Sequence, residues 1–320
     1  MKSFLIKLIS LGVICFALLW VFQSIVDYGL RLSDDKLYYN WNEIYHGRVN
    51  ADLIFLGSSR ALKQYDPSVF ENKMKLSVFN LGDDGASFNI QKIKNKIYFK
   101  NNKPPKTIVI NVDINSLAKA NKLYNKKQYL PYYSLTNYNE LNSIDKDITI
   151  EYLVPLYKYR KNLDLIKISL MSYFGHRRKN VKTYMGFHGS SQSWNGEFEQ
   201  RKKELNGNKF DYSHMNFDEC SEFFKSMILE LKNENNTIFL VWAPEYYERQ
   251  ILEGEMLLKS KKMYKTVADT SEGVHYLDFT KDTICYSKKY FYDSYHLNKR
   301  GATLFSEQLA DSIPKYFNEL

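Results

Sequence analysis

Short apolar runs alternate with longer amphipathic segments along most of the chain, and this rhythm predicts the secondary structure. Five runs stay apolar over about the length of a strand, at residues 52–57, 76–81, 107–113, 237–243 and 274–278. Most of them are continuous rather than alternating, which is typical of strands covered on both faces, as in a parallel sheet. The pattern therefore predicts a mainly parallel β-sheet.

The segments between these runs carry helical patterns. Asp66 and Pro67 begin one helix, because they supply a capping side chain and a proline at the first helical position. Four further helices are predicted at residues 86–100, 216–233, 255–270 and 299–318. Strands that alternate with helices in this way predict an α/β fold: a doubly wound sheet within three layers, α/β/α.

Residues 120–215 interrupt this rhythm. They are rich in Tyr, Lys and Asn, with a helical pattern near residues 160–173. We predict a helical and loop insertion between the third and fourth strands. An insertion at the carboxyl edge of such a sheet often shapes a substrate site.

The N-terminus carries the longest apolar run. Residues 8–26 contain no charged residue, and Lys2 and Lys7 precede them. The run has about the length that spans a bilayer as a helix, and no small-residue cleavage site follows it. We therefore expect an uncleaved signal anchor, with the N-terminus in the cytoplasm because of the two lysines.

These patterns divide the chain into three regions. Residues 1–30 are the expected anchor, residues 31–50 a juxtamembrane connection, and residues 51–320 the α/β domain with its insertion. The α/β domain is expected on the side of the membrane opposite the N-terminus.

Composition narrows the function classes. The chain has 320 residues and is 44% hydrophobic and 16% aromatic, so it can bury a core and is not a disordered protein. Its net charge of +9 is scattered, which favours anionic polymers or lipid headgroups as contacts. No nucleic-acid recognition motif accompanies the charge, so we expect no nucleic-acid partner.

The three cysteines form no metal-binding pattern. They are Cys15, in the apolar run, and Cys220 and Cys285. The last two either pair in an oxidising compartment or are buried free thiols.

Polar residues follow three predicted strands, at the edge where open α/β sheets bind ligands. Ser58 and Ser59 follow the first strand, which ends at Gly57. The second strand ends in the glycine-containing segment 80–87, and Asn115 follows the third strand. Each is ordinary turn chemistry when taken alone.

A fourth polar segment lies near the C-terminus. Asp293 and His296 are three residues apart, a spacing that puts both side chains on one side of a helical or turn-like segment. A carboxylate so placed orients the imidazole, whose other nitrogen can then take a proton from a serine. A surface Asp–His pair is the alternative.

Serine, glycine, asparagine and Asp-x-x-His in this chain order resemble the SGNH, or GDSL-like, hydrolase superfamily. The resemblance covers about residues 51–118 and 236–318, outside the insertion and the apolar helix. It identifies Ser59, not Ser58, as the nucleophile. The other matched positions are Gly85, Asn115, Asp293 and His296, although Ile114 stands where the family usually has glycine before the asparagine.

The resemblance implies a serine esterase or acyltransferase that needs neither cofactor nor metal. It assigns catalysis to Ser59, His296 and Asp293. Its oxyanion hole would consist of the N–H groups of Ser59 and Gly85 and the Asn115 amide. Arg60, next to the nucleophile, would either hold an anionic group of the substrate or form a structural ion pair.

The membrane anchor and the short first block are similar to two groups within this superfamily. These are the D-alanyl-transfer protein of teichoic acid synthesis and the alginate-type polysaccharide O-acetyltransferases. The similarity implies ester hydrolysis or acyl transfer on cell-envelope polysaccharide through an acyl-Ser59 intermediate, outside a bacterial cytoplasmic membrane. The expected partners are an acylated polysaccharide or another ester, the membrane, and an envelope acyl-transfer machinery.

One alternative to an enzyme stays open. The chain could be a catalytically silent, membrane-tethered protein that binds or assembles polysaccharide with the same fold. A second Gly-Ser-Ser, at residues 189–191, follows no apolar strand and is predicted to be a loop of the insertion.

Overall fold

The structure is a computed structural model that describes residues 1–133, 138–176 and 184–316. Its α-helices are numbered in chain order: α1 (Lys2–Arg31), α2 (Tyr39–Tyr45), α3 (Ser59–Gln64), α4 (Pro67–Met74), α5 (Phe88–Asn101), α6 (Ile114–Leu117), α7 (Tyr138–Ile144), α8 (Ile148–Leu153), α9 (Leu163–Tyr173), α10 (Glu197–Leu205), α11 (Phe217–Leu231), α12 (Tyr247–Asp269) and α13 (Lys299–Ser312). Short 3₁₀ helices lie at Lys126–Tyr132, Tyr157–Tyr159, Thr283–Tyr286, Lys288–Tyr290 and Ile313–Tyr316.

The strands form one parallel sheet. They are β1 (Leu53–Leu56), β2 (Val78–Asn80), β3 (Thr107–Asn111), β4 (Thr237–Trp242) and β5 (Val274–Asp278). Their order across the sheet is β2-β1-β3-β4-β5, with Leu53 opposite both Val78 and Thr107. The chain thus turns to one side after β1 and to the other side from β3 onwards, which is the doubly wound arrangement.

Helices cover both faces of the sheet. Phe55 of β1 packs with Phe305 of α13 in one core cluster. Trp242 of β4 faces the other way and contacts Tyr264 of α12, which in turn contacts Phe224 of α11. Because neighbouring residues of a strand point to opposite faces, the continuous apolar runs fill both layers, as the sequence analysis predicts.

The predicted elements are present, with shifted ends. All five predicted runs contain a strand. Asp66 caps α4 by accepting a hydrogen bond from the N–H of Ser68. The predicted helix at 255–270 is longer in the structure, because α12 begins at Tyr247 and continues across a non-helical Gly254.

The chain separates into two compact units. One comprises residues 1–46 and 121–182, and the other comprises residues 47–120 and 183–320, which include the sheet. The expected insertion at 120–215 is therefore divided between the units. Residues 31–46, expected as a connection, belong to the first unit, where Tyr38, Trp41 and Ile44 are buried.

In the first unit, α1 has two different halves. Its residues 1–19 are exposed, whereas Val26, Gly29 and Leu30 are buried. Ser169 of α9 donates a hydrogen bond to the carbonyl of Val26 (2.7 Å). Within the described residues, α1 is the one helix long and apolar enough to cross a membrane.

The structure decides between the two alternatives for Cys220 and Cys285, a disulfide or free thiols. Cys220 and Cys285 are buried and free, and Cys15 is exposed on α1. Cys285 donates a hydrogen bond to the carbonyl of Phe279 (3.4 Å). Burial raises the pKa of the Cys285 thiol to about 12, so this group stays protonated and unreactive at neutral pH.

Candidate active site

The site begins at the carboxyl end of β1, the strand where the chain order reverses. Gly57 has a φ of +147°, and a Cβ there would lie 2.7 Å from Ala61 and 2.9 Å from Asn111. Only glycine fits this turn without displacing its neighbours. The chain can therefore pass from a buried strand directly into α3.

The two serines after Gly57 occupy different positions in α3 and make different contacts. Ser58 is the N-cap of α3, and its Oγ accepts a hydrogen bond from the N–H of Arg60 (3.4 Å). Ser59 is the first residue of α3, and its Oγ lies 2.7 Å from Nε2 of His296. Its own N–H is at a helix start, where no partner exists within the helix.

His296 and Asp293 lie in a tight loop before α13. A bridge between Phe291 and Leu297 closes the loop at its base. Oδ1 of Asp293 accepts hydrogen bonds from the N–H groups of Tyr295 and His296, both 2.7 Å long. These two backbone hydrogen bonds hold the carboxylate in place independently of its contact with the imidazole.

The imidazole connects this carboxylate to the serine. Nδ1 of His296 lies 2.9 Å from Oδ2 of Asp293, on the ring edge opposite Ser59. A carboxylate can only accept, so Nδ1 carries the proton and Nε2 is free to accept from the serine hydroxyl. The three side chains form a hydrogen-bonded succession from Oγ to carboxylate.

The surroundings favour the neutral imidazole and the ionised carboxylate. Burial lowers the pKa of His296 below its ordinary 6.5, opposed by Asp293 and assisted by the charges of Lys63 and Arg60. Burial works against ionisation of Asp293, but hydrogen bonds from His296 and two N–H groups hold its pKa below its ordinary value. His296 is therefore able to accept a proton at neutral pH.

Aromatic rings hold the imidazole on two sides. The Tyr292 ring stacks on it at 5.2 Å and 5°, and the Tyr295 ring meets it edge-on at 5.2 Å and 79°. Lys63, on the same helix as Ser59, donates to the Tyr292 hydroxyl (3.0 Å) and lies 3.5 Å from the Asp84 carboxylate. These contacts join α3, the loop after β2 and the Asp293–His296 loop.

Behind the site lies a buried ionic cluster. Arg60 is fully buried, contacts Glu245 and donates to the carbonyl of Ala243 (2.7 Å). The cation also lies 4.8 Å from the centroid of the Tyr295 ring. Of the two alternatives for Arg60, the structure shows the ion pair, because a fully buried guanidinium has no surface for a substrate.

The two other residues expected in the oxyanion hole follow β2 and β3. Gly85 follows β2 with a φ of +70° and is exposed. Asn115 is exposed on α6, and within the described residues its amide makes no hydrogen bond with Ser59, His296 or Asp293. The buried polar group after β3 is Asp113, which caps α6 through the N–H of Ser116 (2.7 Å).

Several contributing residues were not found by sequence reasoning. These are Glu245, Tyr292, Tyr295 and Lys63. Glu245 follows β4 in the segment Trp-Ala-Pro-Glu, so the rule applied to the other strand ends would have found it. The aromatic contacts of His296 had no sequence signal, because tyrosine is abundant throughout the chain.

A cavity of about 430 Å³ borders the loop that carries Asp293 and His296. Asp293 and Tyr295 form one wall, and Phe198 and Arg201 of α10 form another. Because α10 lies within residues 120–215, part of the segment expected as an insertion lines this cavity.

Comparison with known proteins adds little to this geometry. No protein-family model matches the chain, and no curated protein matches it. A solved structure from Streptococcus pneumonia, provisionally described as a platelet activating factor, is similar over 97% of this chain and 98% of its own, with 13% identity and a TM-score of 0.39. An acetyl xylan esterase, Est2A, from the rumen bacterium Butyrivibrio proteoclasticus is similar over 84% of this chain and 64% of its own, with 10% identity and a TM-score of 0.36.

Similarities this weak carry no argument about fold or function. The side-chain geometry of Ser59, His296 and Asp293 is therefore the observation that bears on function.

Proposed function

We propose that this chain is a membrane-anchored serine esterase or O-acyltransferase of the SGNH type, acting on acyl esters of cell-envelope polysaccharide. The observation that carries the proposal is the 2.7 Å contact between Ser59 Oγ and His296 Nε2, with Asp293 on the other ring nitrogen. Within the described residues no cluster of His, Cys, Asp and Glu is suited to hold a metal.

The first half of the reaction forms an acyl-enzyme. Ser59 Oγ attacks the ester carbonyl while its proton passes to Nε2 of His296, and Asp293 stabilises the imidazolium. When the tetrahedral intermediate collapses, the ester C–O bond breaks and the leaving alcohol takes the proton from His296. The acyl group remains on Ser59.

The second half releases the acyl group. Water or a sugar hydroxyl gives its proton to His296 and attacks the acyl carbon, and Ser59 leaves with that proton. Water gives hydrolysis, and a sugar hydroxyl gives transfer. We propose the N–H groups of Ser59 and Gly85 and the Asn115 amide as the oxyanion donors.

The direct test compares two variants of the full-length protein in detergent. Ser59→Ala removes the nucleophile, so hydrolysis of a soluble acetate ester should fall at least about 10³-fold. Ser226→Ala, an exposed serine on α11, should keep the rate of the unaltered protein. Equal hydrolysis by both variants would contradict the proposal, and a folded but inactive unaltered protein would favour a silent binding protein.

The polysaccharide assignment has its own test. Cells expressing Ser59→Ala should carry an altered level of O-acyl groups on their envelope polysaccharide compared with cells expressing the unaltered chain. An unchanged level, with the ester hydrolysis of the previous test intact, would remove the polysaccharide from the proposal and keep the enzyme.

The properties of α1 support the proposed topology, with the N-terminus in the cytoplasm and the α/β domain on the other side of the membrane. Exposed apolar side chains over residues 1–19 suit a lipid environment, and the N-terminal lysines favour the cytoplasm. Alkaline phosphatase fused to the C-terminus should be active and a fused green fluorescent protein dark. The reverse pattern would contradict the location.

A further inference from the structure

The uncharged stretch of α1 is longer than its exposed part. Residues 8–26 carry no charge and lie between Lys7 and Asp27. At about 1.5 Å per residue the stretch covers about 28 Å, close to the hydrocarbon core of a bilayer, which is about 30 Å thick. Because both flanking charges belong outside the hydrocarbon, a bilayer crossed by α1 ends near Val26.

Protein covers the last turns of this stretch. Gln23 is buried, and its Oε1 accepts a hydrogen bond from the N–H of Leu156 (2.6 Å). Val26 is buried too, and its carbonyl accepts a hydrogen bond from Ser169 of α9. The segments that carry Leu156 and Ser169 are therefore next to the part of α1 where the bilayer ends.

Five large apolar side chains are exposed on these two segments. Ile150, Leu153 and Val154 lie at the end of α8, and Tyr173 and Phe174 lie at the end of α9. Leu153 and Phe174 have exposed fractions of 58% and 71%, within the range of the apolar side chains in the first half of α1. We call these five residues the apolar rim.

The end of α9 reaches the same turns of α1. The Tyr173 ring meets the Tyr28 ring edge-on, with 6.1 Å between the centroids. Helical side chains lean towards the N-terminus of their helix, so the Tyr28 ring lies beside the turn that contains Val26. Both parts of the apolar rim are therefore attached to α1 near the end of the bilayer.

The short helix α8 has an inverted arrangement of polar and apolar side chains. Its Glu151 carboxylate is buried and pairs with Lys126 (2.9 Å) and Arg160 (3.2 Å), whereas Ile150 and Leu153 are exposed. A helix that faces water turns its charged side chains outward and its apolar side chains inward. An apolar medium therefore suits the outer side of α8 better than water does.

The contact between α1 and α9 is of the kind that helices form in lipid. Ser169 and Ser172 of α9 are buried, and a Cβ on Gly29 of α1 would lie 2.3 Å from the Ser169 carbonyl oxygen. Small residues that allow such a close approach are enriched at helix interfaces in membranes. The exposed Tyr173 suits the same place, because tyrosine is enriched where lipid meets water.

We infer that the apolar rim inserts into the lipid at the bilayer edge opposite the N-terminus, as a second membrane contact beside the spanning helix. The inference rests on the proposed membrane location and adds a lipid-binding surface to it. The depth is that of an interfacial helix, about 5–10 Å into the boundary of headgroups and acyl chains. The rim contacts acyl chains rather than headgroups, because its side chains carry no charge.

The test measures depth with a nitroxide spin label on single cysteines of the full-length protein, at one copy per lipid nanodisc. Collisions with oxygen report on lipid, where oxygen concentrates, and collisions with a water-soluble nickel complex report on water. Cys15→Ala removes the exposed native thiol, while Cys220 and Cys285 are buried. The label therefore reports on the introduced position alone.

Leu153→Cys and Phe174→Cys carry the rim labels, and Leu229→Cys carries the control label. Leu229 is 70% exposed on α11 between Lys225 and Lys232, so polar side chains surround it. The ratio of oxygen to nickel collisions should be several-fold higher for each rim label than for the control label. Rim ratios equal to the control ratio would overturn the inference.

Two further outcomes are decisive. Rim labels shielded from both reagents would indicate a protein cover in place of lipid and would also overturn the inference. A label on the native Cys15 reports on the proposed anchor itself. Cys15 in lipid with the rim labels in water would overturn the lipid contact of the apolar rim and keep the anchor. Cys15 in water would contradict the anchor and the apolar rim together, and the hydrolysis test with Ser59→Ala is independent of both.

Discussion

At the scale of single residues, the proposed reaction depends on a His296 side chain that is neutral and held in one orientation. Burial lowers its pKa, the hydrogen bond to Asp293 opposes this, and the nearby charge of Lys63 lowers the pKa further. The imidazole is therefore ready to accept the Ser59 proton below neutral pH.

This balance predicts the pH dependence of ester hydrolysis. The rate should rise as His296 loses its proton, with a midpoint below the ordinary 6.5. Lys63→Met removes a positive charge, so the midpoint should move upward, whereas Lys63→Arg should keep it low. A midpoint above 6.5 in the unaltered protein, or a downward shift in Lys63→Met, would contradict this reading.

The contact between Asp293 and His296 predicts an effect on kcat as well as on the pH dependence. In Asp293→Asn the amide no longer holds the imidazole with Nδ1 protonated, and kcat should fall by about 10²–10⁴-fold with KM little changed. Asp311→Asn, an exposed carboxylate paired with Lys73, is the matched control. A comparable kcat for Asp293→Asn and the control would remove Asp293 from the mechanism.

Residue types and spacing could predict this triad in part. Gly-Ser-Ser after a strand and Asp-x-x-His near the C-terminus identify the pieces. The sequence distinguishes Ser59 from Ser58 only through the family resemblance. The structure adds a physical reason, because Ser58 is the N-cap of α3. The position of the Asn115 amide depends on the short helix α6, whose start is set by buried Asp113, and no local pattern revealed this.

At the scale of elements, the buried ion pair between Arg60 of α3 and Glu245 after β4 connects the helix of Ser59 to the sheet. Arg60 and Glu245 have fully buried side chains, and Trp242 donates a further hydrogen bond to Glu245 (2.7 Å). Removing one partner of such a pair destabilises the folded state strongly, because the other charge stays buried without compensation.

Glu245→Gln should therefore lower the free energy of unfolding by about 3–5 kcal/mol. The double variant Arg60→Met, Glu245→Met should lose less, since neither charge remains uncompensated. Urea unfolding followed by tryptophan fluorescence measures both. Glu222→Gln, from an exposed pair with Lys225, should change the value by less than about 1 kcal/mol. A similar small effect for Glu245→Gln would show that the pair is not needed.

The strands and most helices were predictable because their signals are local. Continuous apolar runs identify the strands, and Asp66-Pro67 identifies the start of α4. The Arg60–Glu245 pair was not predictable as a contact, since its members are 185 residues apart and are joined only by the sheet order.

At the scale of the whole molecule, α1 is more than an apolar helix of membrane-spanning length. Its last turns are part of the core of the unit formed by residues 1–46 and 121–182. Asp27 pairs with Lys158 (2.8 Å), and a Cβ on Gly29 would lie 2.3 Å from the Ser169 carbonyl oxygen. The sequence analysis assigned all of residues 1–30 to the expected anchor, although the last turns of α1 are buried against protein. Hydropathy cannot distinguish an apolar segment buried in lipid from one buried in protein.

This packing predicts opposite outcomes for two glycines of the same helix. Gly29→Leu should separate α1 from α9 and make residues 121–182 sensitive to protease. Gly12→Leu should have no such effect, because nothing lies within 4 Å of its position. Leucine favours a helix over glycine at both sites, so a difference between the variants would arise from the contact alone. Equal resistance to protease would contradict the packing of α1 on α9.

The most direct measurement of the central claim is the mass of the protein after reaction with a fluorophosphonate that targets activated serines. We predict a single covalent adduct that maps to Ser59 and that disappears in His296→Ala, although Ser59 is still present in that variant. Absence of an adduct from the folded, unaltered protein, or an adduct on Ser58 in place of Ser59, would contradict it.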